Sequence, residues 1–210
     1  MSWLSLRIGK EESLILLDPL SLLCILTGIF ISVYLFISPN PPIQLIQISM
    51  LFVIGLVGVL MNLTLFQKRD PLDINISPTE AASILMTFTI TIGAILLVNM
   101  AIFLFSGAIR YQTITFNTKL MAILAAIAEE LMFRGFILAL FYSITRGNSF
   151  VAITTSSALW AIYHSWVYQS FSLLLIVFFA GVILSYAYIK SKGRLSGTIL
   201  AHMLINWVSG

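Results

Sequence analysis

From Pro19 to Ser38 the chain carries no charged residue, and runs of comparable length and apolarity recur along most of its length. A run of about 20 apolar residues is what a helix needs to cross a hydrocarbon core of roughly 30 Å. Only 9% of the residues are charged and 60% are hydrophobic, with a mean hydropathy of +1.04. That composition excludes a soluble domain of any size.

The expected architecture is all-α: a polytopic, integral membrane protein with about seven transmembrane helices. The spans fall near 19–38, 43–66, 80–105, 119–145, 149–168, 171–189 and 195–209. Asn40-Pro41-Pro42 makes a tight connection, 67–79 is a polar loop with Lys68, Arg69, Asp70 and Asp73, and 106–118 is semi-polar. Arg146-Gly147-Asn148 and Lys190–Arg194 read as short turns. The segment Met1–Asp18 is read as interfacial rather than as a cleaved signal, since the apolar run behind it is too long and no small-residue cleavage site follows.

Positive residues gather in cytoplasmic connections. With the N-terminus inside, the cytoplasmic set holds Arg7, Lys10, Lys68, Arg69, Arg146, Lys190, Lys192 and Arg194, and the opposite set only Arg110 and Lys119. A multi-pass chain with a cytoplasmic N-terminus is therefore expected. The basic balance, pI near 9.1, follows from these scattered connections and forms no stripe that would bind nucleic acid. Cys24 is the single cysteine and has no internal disulfide partner.

The whole of 1–210 reads as one transmembrane domain, 1–118 as N-terminal scaffold helices and 119–210, which holds nearly all the intramembrane polar chemistry, as its chemical core. Between Leu120 and Phe141 the only charges are Glu129, Glu130 and Arg134. A charge at the bilayer centre costs several kcal/mol unless it is paired or faces water, so an intramembrane charge is a functional candidate by default. Glu130 and Arg134 are four apart and share a helical face, with the glutamate on the favourable N-terminal side for an ion pair. Glu129 is turned by about 100° from Glu130 and faces a different neighbour. It lies roughly ten residues, or about 15 Å, from the nearer end of its span, too deep for so short a side chain to reach the interface.

Both histidines of the chain, His164 and His202, fall inside expected spans. His202 and Asn206 are four apart and offer an imidazole and an amide on one face, groups able to donate to an oxyanion. Trp160 stands one turn before His164. A carboxylate held away from bulk water can act as general base on a bound water near neutral pH. Two imidazoles and a carboxylate are also a zinc ligand set with a second glutamate left as base, in which case Glu129, His164 and His202 would hold zinc or another divalent metal. The helical zinc signature with two histidines four apart is absent, and the metal-free reading is preferred, with no cofactor.

At these residues the chain resembles the CPBP family of intramembrane proteases, the CAAX prenyl endopeptidase and bacteriocin-processing enzymes also called the Abi family. That family carries Glu-Glu-x-x-x-Arg, Phe-x-x-x-His and His-x-x-x-Asn on successive C-terminal helices. Here the first motif runs from Glu129 to Arg134 and the third from His202 to Asn206, while in the second Trp160 replaces the usual Phe ahead of His164. The resemblance covers roughly 118–208. It implies an active site inside the C-terminal helix bundle, in which Glu129 and His164 activate water, His202 and Asn206 form the oxyanion hole, and Glu130 and Arg134 are supports.

It also implies an intramembrane endopeptidase acting on a membrane-embedded or lipidated peptide, with prenylated proteins and membrane lipids as expected partners. Two other readings compete. In one, the same polar cluster locks the packing of a non-catalytic immunity or scaffold protein; in the other, it relays protons in a small transporter. Small residues such as Gly55, Gly58, Ala125, Ala126, Gly181 and Ser185 allow close helix approach. Trp166, Tyr168 and Trp207 belong to the interfacial belt.

Overall fold

The computed structural model describes residues 18–38, 44–66 and 115–209, with isolated positions between 82 and 100. The expected span 80–105, the connections at Asn40–Pro42 and 67–79, most of 106–118 and the leader up to residue 17 lie outside the described residues.

Among the described residues the structure is helical, without a strand. Helix α1 is Pro19–Phe36, α2 Leu45–Phe66 and α3 Phe116–Glu129. The chain then continues without a break into a π-helix, Glu130–Leu138, and on into α4, Ala139–Ile144. After a turn come α5, Ser149–Tyr163, a 3₁₀ turn at His164–Trp166, α6, Phe171–Lys190, and α7, Leu195–Ser209.

Local chemistry sets several of these ends. Asp18 caps α1, its Oδ1 accepting from the Ser21 N–H at 2.8 Å, with Pro19 in the first helical position, where the missing N–H costs nothing. Thr115 and Asn148 cap α3 and α5 in the same way, accepting from Thr118 N–H and Val151 N–H. The two short turns close as a matched pair. Gly147 N–H donates to Tyr142 O and Arg146 N–H to Ser143 O, and Gly193 N–H donates to Tyr188 O and Lys192 N–H to Ile189 O. This doubled bonding beyond a helix end needs a left-handed residue, and Arg146 and Lys192 supply it at φ 56° and 58°.

Among the described residues three helices are long and apolar enough to cross a membrane by length and composition: Pro19–Phe36, Leu45–Leu63 and Phe171–Lys190. Helix α1 shows why the environment is lipid. Its inward face holds Cys24, Ile25, Gly28, Ile31 and Leu35, and its outward face Leu23, Leu26, Phe30 and Val33. A helix apolar on both faces is suited to a bilayer, not to water.

Among the described residues the helices depart from the expected spans in two places. Helix α5 has 15 residues, about 22 Å at 1.5 Å per residue, shorter than the expected 149–168, while α7 covers the expected 195–209. The difference at α5 arises because the chain leaves the helix at His164. The expected continuous α-helix across 119–145 is instead α up to Glu129, π over nine residues and α again to Ile144. This composite helix is the centre of the bundle: α1, α2, α5 and α7 all pack against it. The main core joins α1, α2, α3 and α7 through Leu35, Phe52, Val59, Leu124, Ile127, Leu131 and Ile199.

Candidate active site

Glu129 and Glu130 close α3 and open the π-helix, and neighbouring positions on a helix point to different sides. Glu129 faces α5. Its Oε2 accepts from the Trp160 indole Nε1–H at 2.8 Å, and His164 Nε2 lies 3.7 Å away. Glu130 faces α7, where its Oε1 meets His202 Nδ1 at 3.0 Å. The Arg134 guanidinium lies 3.2 Å from that same oxygen. The Thr198 side chain also lies against the Glu130 carboxylate.

Burial differs across the cluster. Glu130 and Arg134 are 0% and 1% exposed, whereas His164, at the helix end, is 17% exposed. Glu129 lies between, buried but beside the accessible histidine. Arg134 also stacks its guanidinium over the Trp160 ring, 4.6 Å from the centroid, a contact that favours a cation over an indole face. The arginine therefore holds Glu130 with one edge and Trp160 with its face, and Trp160 in turn holds Glu129.

The hydrogen bonds place a proton on Nδ1 of both imidazoles. His164 Nδ1 lies 2.9 Å from the Trp160 main-chain oxygen. That carbonyl belongs to the last turn of α5 and also accepts from the His164 main-chain N–H, one bond for each of its two lone pairs. A carbonyl only accepts, so Nδ1 carries the proton and the Nε2 lone pair of a neutral His164 is turned toward Glu129. The same logic at His202 sets Nδ1–H on the Glu130 carboxylate and leaves Nε2 turned away from it. Tyr163 and Tyr168 enclose His164, Tyr168 stacked on it with centroids 6.1 Å apart and Tyr163 edge-on at 5.4 Å.

The structure thus brings Glu129, Glu130, Arg134, His164 and His202 into one cluster, with the Trp160 ring edge-on to both imidazoles at 4.9 and 6.2 Å. Asn206 lies one turn beyond His202 on α7. There its Nδ2 donates to the Ala122 carbonyl at 3.0 Å, committing one of its two N–H groups to α3.

Two contributions were not read from the sequence. Trp160 reads in the sequence as an aromatic in place of the usual Phe, and the structure adds that its indole N–H is a donor to Glu129, which a phenylalanine could not supply. The signal was present in the departure from Phe at that position. The second is a set of side chains that bond the π-helix main chain. Ser156 Oγ donates to Phe133 O at 2.7 Å, and Asn62 Nδ2 reaches Gly135 O and Phe136 O at 3.3 and 3.0 Å.

The zinc alternative requires Glu129, His164 and His202 to converge on one point. Among the described residues no group of three or more His, Cys, Asp and Glu side chains is placed to hold a metal ion. His202 Nδ1 is engaged by Glu130 and His164 Nδ1 by the Trp160 carbonyl, so each histidine has only Nε2 to offer a metal.

Comparison with curated proteins and with solved structures finds no match for the chain. Residues 111–208, which contain every member of the cluster, match the family model described as type II CAAX prenyl endopeptidase Rce1-like, in agreement with the resemblance to the CPBP family read from the motifs.

Proposed function

We propose that the chain is an intramembrane endopeptidase of the CAAX prenyl protease type, with Glu129 as the general base. The observation that carries this reading is the pairing of Glu129 with His164 Nε2 at 3.7 Å while His164 Nδ1 is tied to the Trp160 carbonyl. Two acceptors at that separation, at the most exposed edge of the cluster, suit a water molecule that donates one hydrogen to each.

In the proposed reaction Glu129 takes a proton from this water as its oxygen attacks the carbonyl carbon of the scissile peptide. The carbonyl π pair moves onto oxygen. His202 is oriented to stabilise that oxyanion: with Nδ1–H on Glu130, an imidazolium presents Nε2–H, and the buried Glu130 carboxylate stabilises the cation. The second N–H of the Asn206 amide is the other donor. Collapse of the tetrahedral species breaks the C–N bond, and the proton held by Glu129 passes to the leaving amine, directly or through His164. The products are a carboxylate and an amine, with no covalent enzyme intermediate.

Arg134 touches no reacting atom in this scheme. Paired with Glu130 and stacked on Trp160, it holds both carboxylates in place. The apolar surroundings favour a membrane-embedded or lipidated peptide as substrate. The excess of Lys and Arg in alternate connections supports a multi-pass arrangement with a cytoplasmic N-terminus.

Purified protein in liposomes, given prenylated peptides with free C-termini, is expected to release a C-terminal fragment, and the Glu129→Ala variant to release none while remaining folded. Equal release by that variant would refute the assignment.

A further inference from the structure

We infer that Asn62, on α2 and outside the matched domain, is a positioning residue: it holds open the π-helix that carries Glu130 and Arg134 and so sets Glu129 against Trp160 and His164. A π-helix is bonded i to i+5 and an α-helix i to i+4. Where one returns to the other, the change of step passes over one main-chain carbonyl. The return here lies at Leu138–Ala139, and the carbonyls just before it are those of Gly135 and Phe136. Asn62 Nδ2 donates to both, at 3.3 and 3.0 Å. Its side chain is 2% exposed, so water does not compete for these acceptors.

The rest of α2 is shaped to allow this reach. Gly55, Gly58, Val59 and Asn62 recur at helical spacing on one face, and that face lies on the π-helix. A Cβ on Gly55 would come within 2.7 Å of the Met132 main-chain nitrogen, one on Gly58 would strike the Phe136 ring, and one on Gly135 would strike Val59. The two backbones are therefore in near contact, and a side chain as short as asparagine spans the gap. From the opposite side Ser156 donates to Phe133 O at 2.7 Å. The wide turn is thus supported by donors from two helices, of which only Asn62 addresses the carbonyls at its exit.

The consequence for the site follows from helix geometry. Reverting to i to i+4 bonding slips the register by a residue, a rotation of about 100° between Glu129 and the side chains beyond the segment. Glu129 then no longer keeps its present alignment with Trp160 and His164 while Leu138 and Ala139 stay in the core.

The test reads geometry and turnover separately, because the turnover half rests on the endopeptidase reading and the geometric half does not. Of the four tryptophans in the chain, Trp160 is identified in ¹⁵N-tryptophan-labelled protein in nanodiscs by the indole N–H resonance that Trp160→Phe removes. Asn62→Leu, close in size but without a donor, is expected to move that resonance. It is also expected to lower kcat on a prenylated peptide about tenfold or more, with KM altered less than about twofold. Asn62→Gln, which keeps the amide at the end of a longer arm, recovers part of both.

Folding is followed independently by the protection of the buried Cys24 thiol from a maleimide dye during heating. Should Asn62→Leu fail to fold, Asn62→Ala removes the donor without added bulk and carries the same two readouts; failure of both to fold assigns Asn62 a purely structural role and overturns the inference. An unmoved Trp160 resonance in a folded donor-less variant also overturns it, whatever the turnover. A moved resonance in a protein that cleaves nothing supports the inference and rejects the endopeptidase reading alone.

Discussion

The indole N–H of Trp160 donates to the carboxylate of Glu129 at 2.8 Å, and the indole face of the same ring carries the Arg134 guanidinium at 4.6 Å. One side chain therefore fixes the proposed base and braces the buried cation beside it. A donor to a charged acceptor contributes about 1.5–3 kcal/mol when buried, and the tether also restricts Glu129 to the rotamer that faces His164. Trp160→Phe removes the donor and shrinks the ring. The expected outcome is a lower thermal midpoint and a fall in kcat of about tenfold. The protein should still fold, because the CPBP family that the chain resembles usually carries Phe there. Turnover equal to that of the unmodified protein would show that Glu129 needs no tether.

The Glu130–Arg134 pair calls for a different kind of measurement. Both side chains are almost fully excluded from solvent, so removing one partner strands a buried charge at a cost of about 3–5 kcal/mol. Glu130→Ala and Arg134→Ala should each lower the temperature at which Cys24 becomes reactive. The double variant is expected to lose less than the sum of the two single losses. Arg134→Lys should not rescue, since an ammonium lacks the planar face that stacks on Trp160. Additive losses would mean that the 3.2 Å approach contributes nothing to the fold.

Much of this cluster was legible because the chemistry-bearing residues are so few. With three charges between Leu120 and Phe141 and two histidines in the chain, intramembrane cost alone selected Glu129, Glu130, Arg134, His164 and His202. The i, i+4 spacing paired Glu130 with Arg134, and the structure has them 3.2 Å apart. The partner of His202 was not legible. Spacing set it on a face with Asn206, whereas the two engage different groups, Glu130 Oε1 and the Ala122 carbonyl. The π-helix was equally hidden, since Glu130–Leu138 has the composition of an ordinary apolar helix. Its side-chain donors come from elsewhere, with Asn62 more than seventy residues away in the chain.

Asp18 ties the two ends of the described chain together. Its Oδ1 caps α1 through Ser21 N–H, and its Oδ2 accepts from Ser196 Oγ on α7 at 2.7 Å, with the side chain fully buried. Removing an N-cap costs about 1 kcal/mol, and stranding a buried hydroxyl costs about 1–3 kcal/mol more. Asp18→Ala should therefore destabilise clearly more than Ser196→Ala, which leaves the cap intact. Thermal unfolding of the two variants side by side decides this. Equal midpoints would mean that the cap contributes nothing beyond the bond to Ser196.

Metal dependence separates the two mechanisms that the same side chains suggest. For zinc, Glu129, His164 and His202 must present lone pairs to one point. His202 Nδ1 is already bonded to Glu130 and His164 Nδ1 to the Trp160 carbonyl, so only the two Nε2 atoms remain for such a role. The general-base mechanism needs His164 Nε2 as an acceptor for water and His202 Nε2 as a donor to the oxyanion, which are opposite demands on the two rings. A metal would require both to be neutral lone-pair donors. Turnover is therefore expected to survive incubation with a strong chelator, and elemental analysis of the purified protein to find less than one zinc per chain. Activity lost on chelation and recovered on adding zinc would replace the glutamate mechanism with metal-assisted hydrolysis. His202→Gln divides the two further. An amide N–H can still donate to an oxyanion, so partial turnover is expected from the general-base mechanism and none from a site that has lost a ligand.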